Sequence, residues 1–326
     1  MVFNIKESSR ANSLKSNLLV ILKNYPVAIF LFLIVIVVSF FAENYFSAEN
    51  FLNVMRQISV IGILSCGMTF VIISGGIDLS VGAIISFSGA LIITMVKALN
   101  TVSGILITIF AGAAIGLISG LILTKIRGKL GESFMVTYGM QTVIAAIALI
   151  YTGGLYQSEA DDALFAGIGR GFSPIIIFLS IVIIMQFLLT KTNFGRYLYF
   201  LGGNINTARL SGINIGLYKT LVFVISGLLA SVAAIVLSSR VGTASPTAGV
   251  GYELDAIAAV VVGGVSISGG KGTILNTLLG VVIMGVLGNA LNMLNISAYP
   301  QMIMKGIVII LAVSLDFLNK LKGESL

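Results

Sequence analysis

Ten long apolar runs, parted only by short clusters of charge, leave this chain little choice of fold. Only 10% of its 326 residues are charged, 57% are hydrophobic, and the mean hydropathy is +1.08. A soluble domain carries about a quarter of its residues as Asp, Glu, Lys or Arg. A helix needs roughly 20 apolar residues to cross a hydrocarbon core about 30 Å thick. Backbone amides cannot stay unpaired in lipid, so each crossing is a helix or part of a closed barrel. Continuous rather than alternating runs select the helix. The chain reads as an all-α integral membrane protein of about ten transmembrane helices.

The runs cover about 25–42, 51–74, 77–97, 101–123, 134–152, 173–190, 217–240, 252–267, 274–293 and 299–317. The eighth is short and reads as a broken or partial span. Only Ser74-Gly75-Gly76 parts the second from the third, so those two form a tight hairpin. Lys and Arg gather in cytoplasmic loops. With the N-terminus inside, fourteen of the 19 basic residues fall inside: Lys6, Arg10, Lys15, Lys23, Lys125, Arg127, Lys129, Lys191, Arg196, Arg209, Lys219, Lys271, Lys320 and Lys322. Four fall outside (Arg56, Lys97, Arg170, Arg240), and Lys305 lies within the last run. The expectation is one transmembrane domain over residues 1–326 with both termini cytoplasmic. The long basic lead and the absence of an A-x-A site argue against a cleaved signal peptide.

Much chemistry is excluded. There is no His and a single Cys, Cys66, which lies inside a span, so no intrachain disulfide can form and no metal or catalytic cluster is expected. The net charge of +7 follows from the inside bias, and no clustered basic surface suggests nucleic acid. Gly269-Gly270-Lys271-Gly272-Thr273 resembles a piece of a phosphate-binding loop. That motif needs Gly where Val265 stands and Ser or Thr where Gly272 stands, so no nucleotide cofactor is expected. Gly269 and Gly270, like Gly75 and Gly76, read as structural turns. Gly112, Gly116 and Gly120 recur every four residues as a helix-packing stripe.

Two loops exceed hairpin length. The outer one, 153–172, carries Glu159, Asp161 and Asp162; it is either a solvated loop or part of a landing surface for an extracytoplasmic partner. The inner one, 191–219, is basic and contains helix punctuation: Asn204 suits an N-cap, and Gly212 suits the position after a helix end. A short helix over 204–213, outside the membrane, is expected to pack against something.

Charge at membrane depth usually marks function. Asp78, Glu253, Asp255 and Asp316 all fall near span ends, where water is within reach. Neutral polar groups lie deeper: Tyr138, Gln141 and Thr142 in the fifth run, and Asn276, Asn289 and Asn292 in the ninth. Either interhelical hydrogen bonds or a solute route accounts for them. Tyr138, Gln141, Asn289 and Asn292 are the candidate lining of such a route.

Three transporter classes compete. An ion-coupled secondary transporter of a small neutral solute usually needs carboxylates or His within the membrane. A channel needs a filter or a ring of charge. A permease driven by a separate ATPase needs neither, only a cytoplasmic docking element, which the 191–219 loop supplies.

The residues also match a family. Gly202–Ile213 resembles the coupling segment of the permease subunits of ribose-type ABC importers. Gly75–Gly82, Pro246–Thr273 and Tyr299–Ile303 resemble their counterparts, and the likeness covers nearly the whole chain. It implies a complex of two permeases (a homo- or heterodimer) and two ATPase domains in the bacterial inner membrane. An extracytoplasmic sugar-binding protein would feed it, and it would import a monosaccharide without being an enzyme. Asn204, Ala208, Arg209, Leu210, Ser211, Gly212 and Ile213 would then couple to the ATPase, with Ala208 at the point of closest approach and Arg209 at the rim. One departure stands in the fifth run: Val136-Thr137-Tyr138-Gly139-Met140 is followed by Ala145-Ala146, without the Arg that family members often carry there.

Overall fold

The computed structural model describes residues 36, 38–40, 44–126, 130–158 and 162–323, with side chains to residue 314 apart from 312. The described residues are almost wholly helical. The helices are α1 Ala48–Ile73, α2 Val81–Ala98, α3 Thr101–Lys125, α4 Leu130–Thr152, α5 Ala163–Gly169 and α6 Ser173–Lys191. They continue as α7 Asn193–Gly203, α8 Ile205–Leu210, α9 Ile215–Val241, α10 Tyr252–Val262, α11 Ile274–Met293 and α12 Ala298–Gly323. A two-residue antiparallel pair joins Gln157–Ser158 to Thr243–Ala244. Among the described residues, α1–α4, α6, α9 and α11 are long and apolar enough to cross a membrane. The run at 25–42 lies outside the described residues apart from 36 and 38–40.

The core is built around α1. From Ile58 onward its sequence is apolar or small on every side, which marks a helix segment buried all round. Ile63, Met68, Phe70, Ile72 and Ile73 are fully enclosed by α6, α9, α10 and α11. By contrast α3, α4 and α6 turn apolar side chains such as Phe110, Ile150 and Ile183 outward.

The expected glycine stripe is the seam between α3 and α9. A Cβ on Gly116 would collide with the Phe223 carbonyl, and one on Gly120 would lie 2.7 Å from Thr220 Cα. The two backbones touch because nothing stands between them.

Two expected spans depart from one full-length helix, the third at its start and the eighth through much of its length. The third begins as helix only at Val81, leaving residues 74–80 irregular. The eighth is helical for 11 residues, about 16 Å at 1.5 Å per residue, roughly half a hydrocarbon core. It ends at Gly263 and at Gly264, whose φ is +95°.

The seam yields a prediction. Gly116→Leu should destabilise the purified chain by about 1–3 kcal/mol or more through overpacking. Gly306→Leu should be silent, because no atom lies within 4 Å of where its Cβ would stand. Thermal unfolding in detergent measures both, and equal melting temperatures would contradict the seam.

Candidate functional site

The irregular segment 74–80 runs deep inside the protein and is held by side chains. Ser133 Oγ accepts from Ile77 N–H at 3.0 Å and donates to Ile77 C=O at 2.8 Å. Thr137 Oγ1 accepts from Leu79 N–H at 3.1 Å. Asp78 closes the turn into α2: its Oδ1 accepts from the Ser80 backbone N–H at 3.0 Å and from the Ser80 hydroxyl at 2.6 Å. Its Oδ2 accepts from Ser226, near the middle of α9, at 2.8 Å. Asp78 is 1% exposed. The expectation that it reaches water from a span end is therefore corrected: α2 starts only at Val81, and the turn before it carries the carboxylate inward.

Glu253 needs the same correction, being 6% exposed. It lies in the first turn of α10, where helix N-termini favour anions. Its Oε1 accepts from the Gly251 N–H at 3.3 Å and from Gln141 Nε2 of α4 at 3.1 Å. Its Oε2 lies where a Gly82 side chain would be, against the start of α2, and has no hydrogen-bond partner among the described residues. Gly249, just before α10, packs on the same turn of α2, and its N–H donates to Ser86 at 2.9 Å. The N-termini of α2 and α10 thus meet at the Gly82–Gly249 contact. Asp255, one step along α10, pairs with Lys305 of α12 at 2.8 Å, with the two side chains 14% and 33% exposed.

The candidate route residues divide into two groups. Gln141 joins Glu253, and Tyr138, Gly139 and Thr142 lie on the exposed face of α4. Asn289 is buried and exchanges two hydrogen bonds with Asn50 of α1, at 3.2 and 2.8 Å. Asn292 accepts from Gln301 at 2.8 Å. Asn289 and Asn292 are thus tied up in amide pairs, whereas on α4 Tyr138 is open and Gln141 is held by Glu253.

The loop between α6 and α9 folds as two short helices. Asn204 caps α8, its Oδ1 accepting from the N–H groups of Asn206 and Thr207 at 3.0 and 3.1 Å. At the other end the Ile213 N–H donates to Ala208 C=O at 3.2 Å and the Gly212 N–H to Arg209 C=O at 3.1 Å. Gly212 adopts φ +76°, where a Cβ costs about 1 kcal/mol. Both ends of this six-residue helix are therefore fixed.

Its faces differ from the expectation for Ala208. That side chain is fully buried within the chain's own fold, because α8 leans on α7 and the start of α9. Ile205 and Ile213 also face inward, lining a cavity of about 310 Å³ with Leu123 and Thr124. Arg209 borders the same cavity, and the outward face carries Asn206, Thr207, Ser211 and, above all, Leu210 at 89% exposed. Behind α8, Tyr199 of α7 donates its hydroxyl to Gly272 C=O at 2.6 Å, and burial pushes its phenol pKa up, so the proton stays.

The charge pair can be tested alone. Lys305→Met or Asp255→Asn should each cost about 2–3 kcal/mol, the order of an uncompensated charge in a helix at membrane depth. The double variant should recover more than half. A thermal double-mutant cycle measures this, and strictly additive losses would show that the pair contributes nothing.

Comparison with known proteins supplies the class. The ribose import permease protein of Haemophilus influenzae is 44% identical over 295 residues, covering 88% of this chain and 90% of that protein. The Escherichia coli K12 ribose import permease protein is 41% identical over 88% of this chain and 91% of its own length. The xylose transport system permease protein of Haemophilus influenzae is 33% identical over 92% of this chain and 98% of its own. No solved structure matches. A family model matches residues 50–313, so the chain belongs to the branched-chain amino acid transport system / permease component family.

Proposed function

We propose that this chain is the permease subunit of an ATP-driven ABC importer for ribose or a related monosaccharide. The relatives' names supply the sugar class. The structural observation that carries the coupling half is α8: a helix fixed at both ends that presents an almost bare leucine. Seating a short apolar ridge in a groove is an ordinary mode of protein recognition, and an ATPase subunit supplies the groove. The anchor is Leu210, with Thr207 and Ser211 beside it and Arg209 at the rim. Asn204, Ala208, Gly212 and Ile213 hold α8 in place rather than touch the partner.

In this reading one domain crosses the inner membrane ten times with both termini cytoplasmic, and the loop around α8 faces the cytoplasm. The open face of α4, with Tyr138, Gly139 and Thr142 beside Gln141, lines the sugar route and meets a second permease subunit. The segment between α4 and α6, tied to the start of the α9–α10 connection by the short strand pair, receives the sugar-binding protein. Buried Asp78 and Glu253 are the observation that favours an ion-coupled secondary transporter instead. Asp78, however, has both oxygens engaged in bonds that shape the chain turn.

Two experiments test this reading. Leu210→Glu should leave the chain folded and inserted but weaken co-purification of the ATPase by at least about tenfold, the effect of losing an interface hot spot. Ala208→Glu should instead lower the melting temperature of the permease itself. Undiminished ATPase binding by Leu210→Glu would remove α8 as the docking element. Cysteine labels after residues 160 and 245 should react from outside and those after 205 and 322 from inside. An externally labelled C-terminus would make the number of crossings odd and contradict the topology.

A further inference from the structure

Three Gly-Gly pairs from distant parts of the sequence meet at one point: Gly75-Gly76 after α1, Gly202-Gly203 at the end of α7, and Gly269-Gly270 between α10 and α11. The Gly270 N–H donates to Ile73 C=O at 2.9 Å. A Cβ on Gly202 would strike that same carbonyl oxygen and lie 2.6 Å from Gly270 N. One on Gly269 would lie 3.1 Å from both Gly75 Cα and Gly202 O, and one on Gly270 would lie 2.8 Å from Gly203 N. Backbone rests on backbone, with no side chain between. Such a contact cannot absorb a displacement by changing rotamers. The Tyr199 hydroxyl ties α7 to the same turn, two residues on, at Gly272.

The position of this contact gives it a use. Asn204 is at once the C-cap of α7 and the N-cap of α8, so no slack residue separates the glycine contact from α8. On its other side lie the turn that leads through residues 74–80 to α2 and the turn that closes α10. Those are the two broken segments, and they meet again at Gly82 and Gly249.

We propose that this three-way glycine contact is the rigid joint that converts displacement of α8 into concerted movement of the two broken segments, which makes Tyr199, Gly202, Gly269 and Gly270 positioning residues for transport. The inference rests on the importer reading above. In that reading the ATPase moves α8, α7 moves with it, and both turns follow, because close-packed contacts shift between discrete arrangements rather than deform. The Glu253–Gln141 hydrogen bond then carries the movement of α10 to the open face of α4.

The test uses the assembled complex of permease, ATPase and binding protein in proteoliposomes. It reads three quantities: ATPase retained on purification, ATP hydrolysed, and sugar taken up per ATP. Gly202→Ala inserts a methyl into the joint, and Tyr199→Phe removes one hydrogen bond without adding an atom. Gly203→Ala is the neighbouring control, since nothing lies within 4 Å of its Cβ position. Gly202→Ala and Tyr199→Phe should retain the ATPase yet lower uptake per ATP about threefold or more, the scale of a disturbed coupling element. Gly203→Ala should match wild type. If Gly202→Ala fails to assemble, Tyr199→Phe decides. Wild-type uptake per ATP in an assembled joint variant, or an equal loss in Gly203→Ala, overturns the joint. Failure of the wild-type chain to retain an ATPase overturns the importer reading instead, so the two failures are distinct.

Discussion

Backbone at membrane depth has no water to bond, so every N–H and C=O there must find a partner inside the protein. A continuous helix meets that demand by itself. A chain that breaks its helices must meet it with side chains. Here Ser74, Gly75 and Gly76 bond back to α1 carbonyls, whereas Ile77, Leu79 and Ser80 take their bonds from Ser133, Thr137 and Asp78, and Asp78 in turn needs Ser226. The fold around α2, α4 and α9 is arranged to satisfy residues that are not helical. The same demand explains why α4, otherwise peripheral, buries Ser133 and Thr137.

The second break follows the same rule with different residues. Half-helix α10 starts in the protein interior, and its first turn carries Glu253 and Asp255, which suit the positive end of a helix. Glu253 reaches α4 and α2, whereas Asp255 reaches Lys305 on α12. One short helix is therefore held on two sides by polar contacts that can be remade. This is the property expected of an element that moves while the core built on α1 stays fixed.

Much of this was legible in the sequence, for definable reasons. Run length and the absence of alternation identify the long helices. Asn204 and Gly212 bracket α8 because capping depends on local chemistry alone. Gly112, Gly116 and Gly120 mark a seam because a four-residue recurrence lies on one helix face. The two misplaced carboxylates share one cause. Distance along a span is a poor guide to depth when the span is broken, so Asp78 and Glu253 were placed in reach of water although they are buried. Two signals were available: an Asp followed two residues later by Ser after Gly-Gly reads as a side-chain-closed turn, and Lys305 inside a run required a carboxylate partner. The inward face of Ala208 could not be read, because a six-residue helix has too few turns to declare which side is covered.

In the importer reading α8, fixed at both ends, receives work done elsewhere, and the membrane domain spends no chemistry of its own. Sugar uptake by reconstituted proteoliposomes tests it most directly. The chain should take up ribose or a related monosaccharide only when a cognate ATPase, a binding protein and ATP are all present. Uptake should persist when the proton gradient is collapsed with ATP maintained. Uptake by the chain alone, driven by a pH step, would contradict the account.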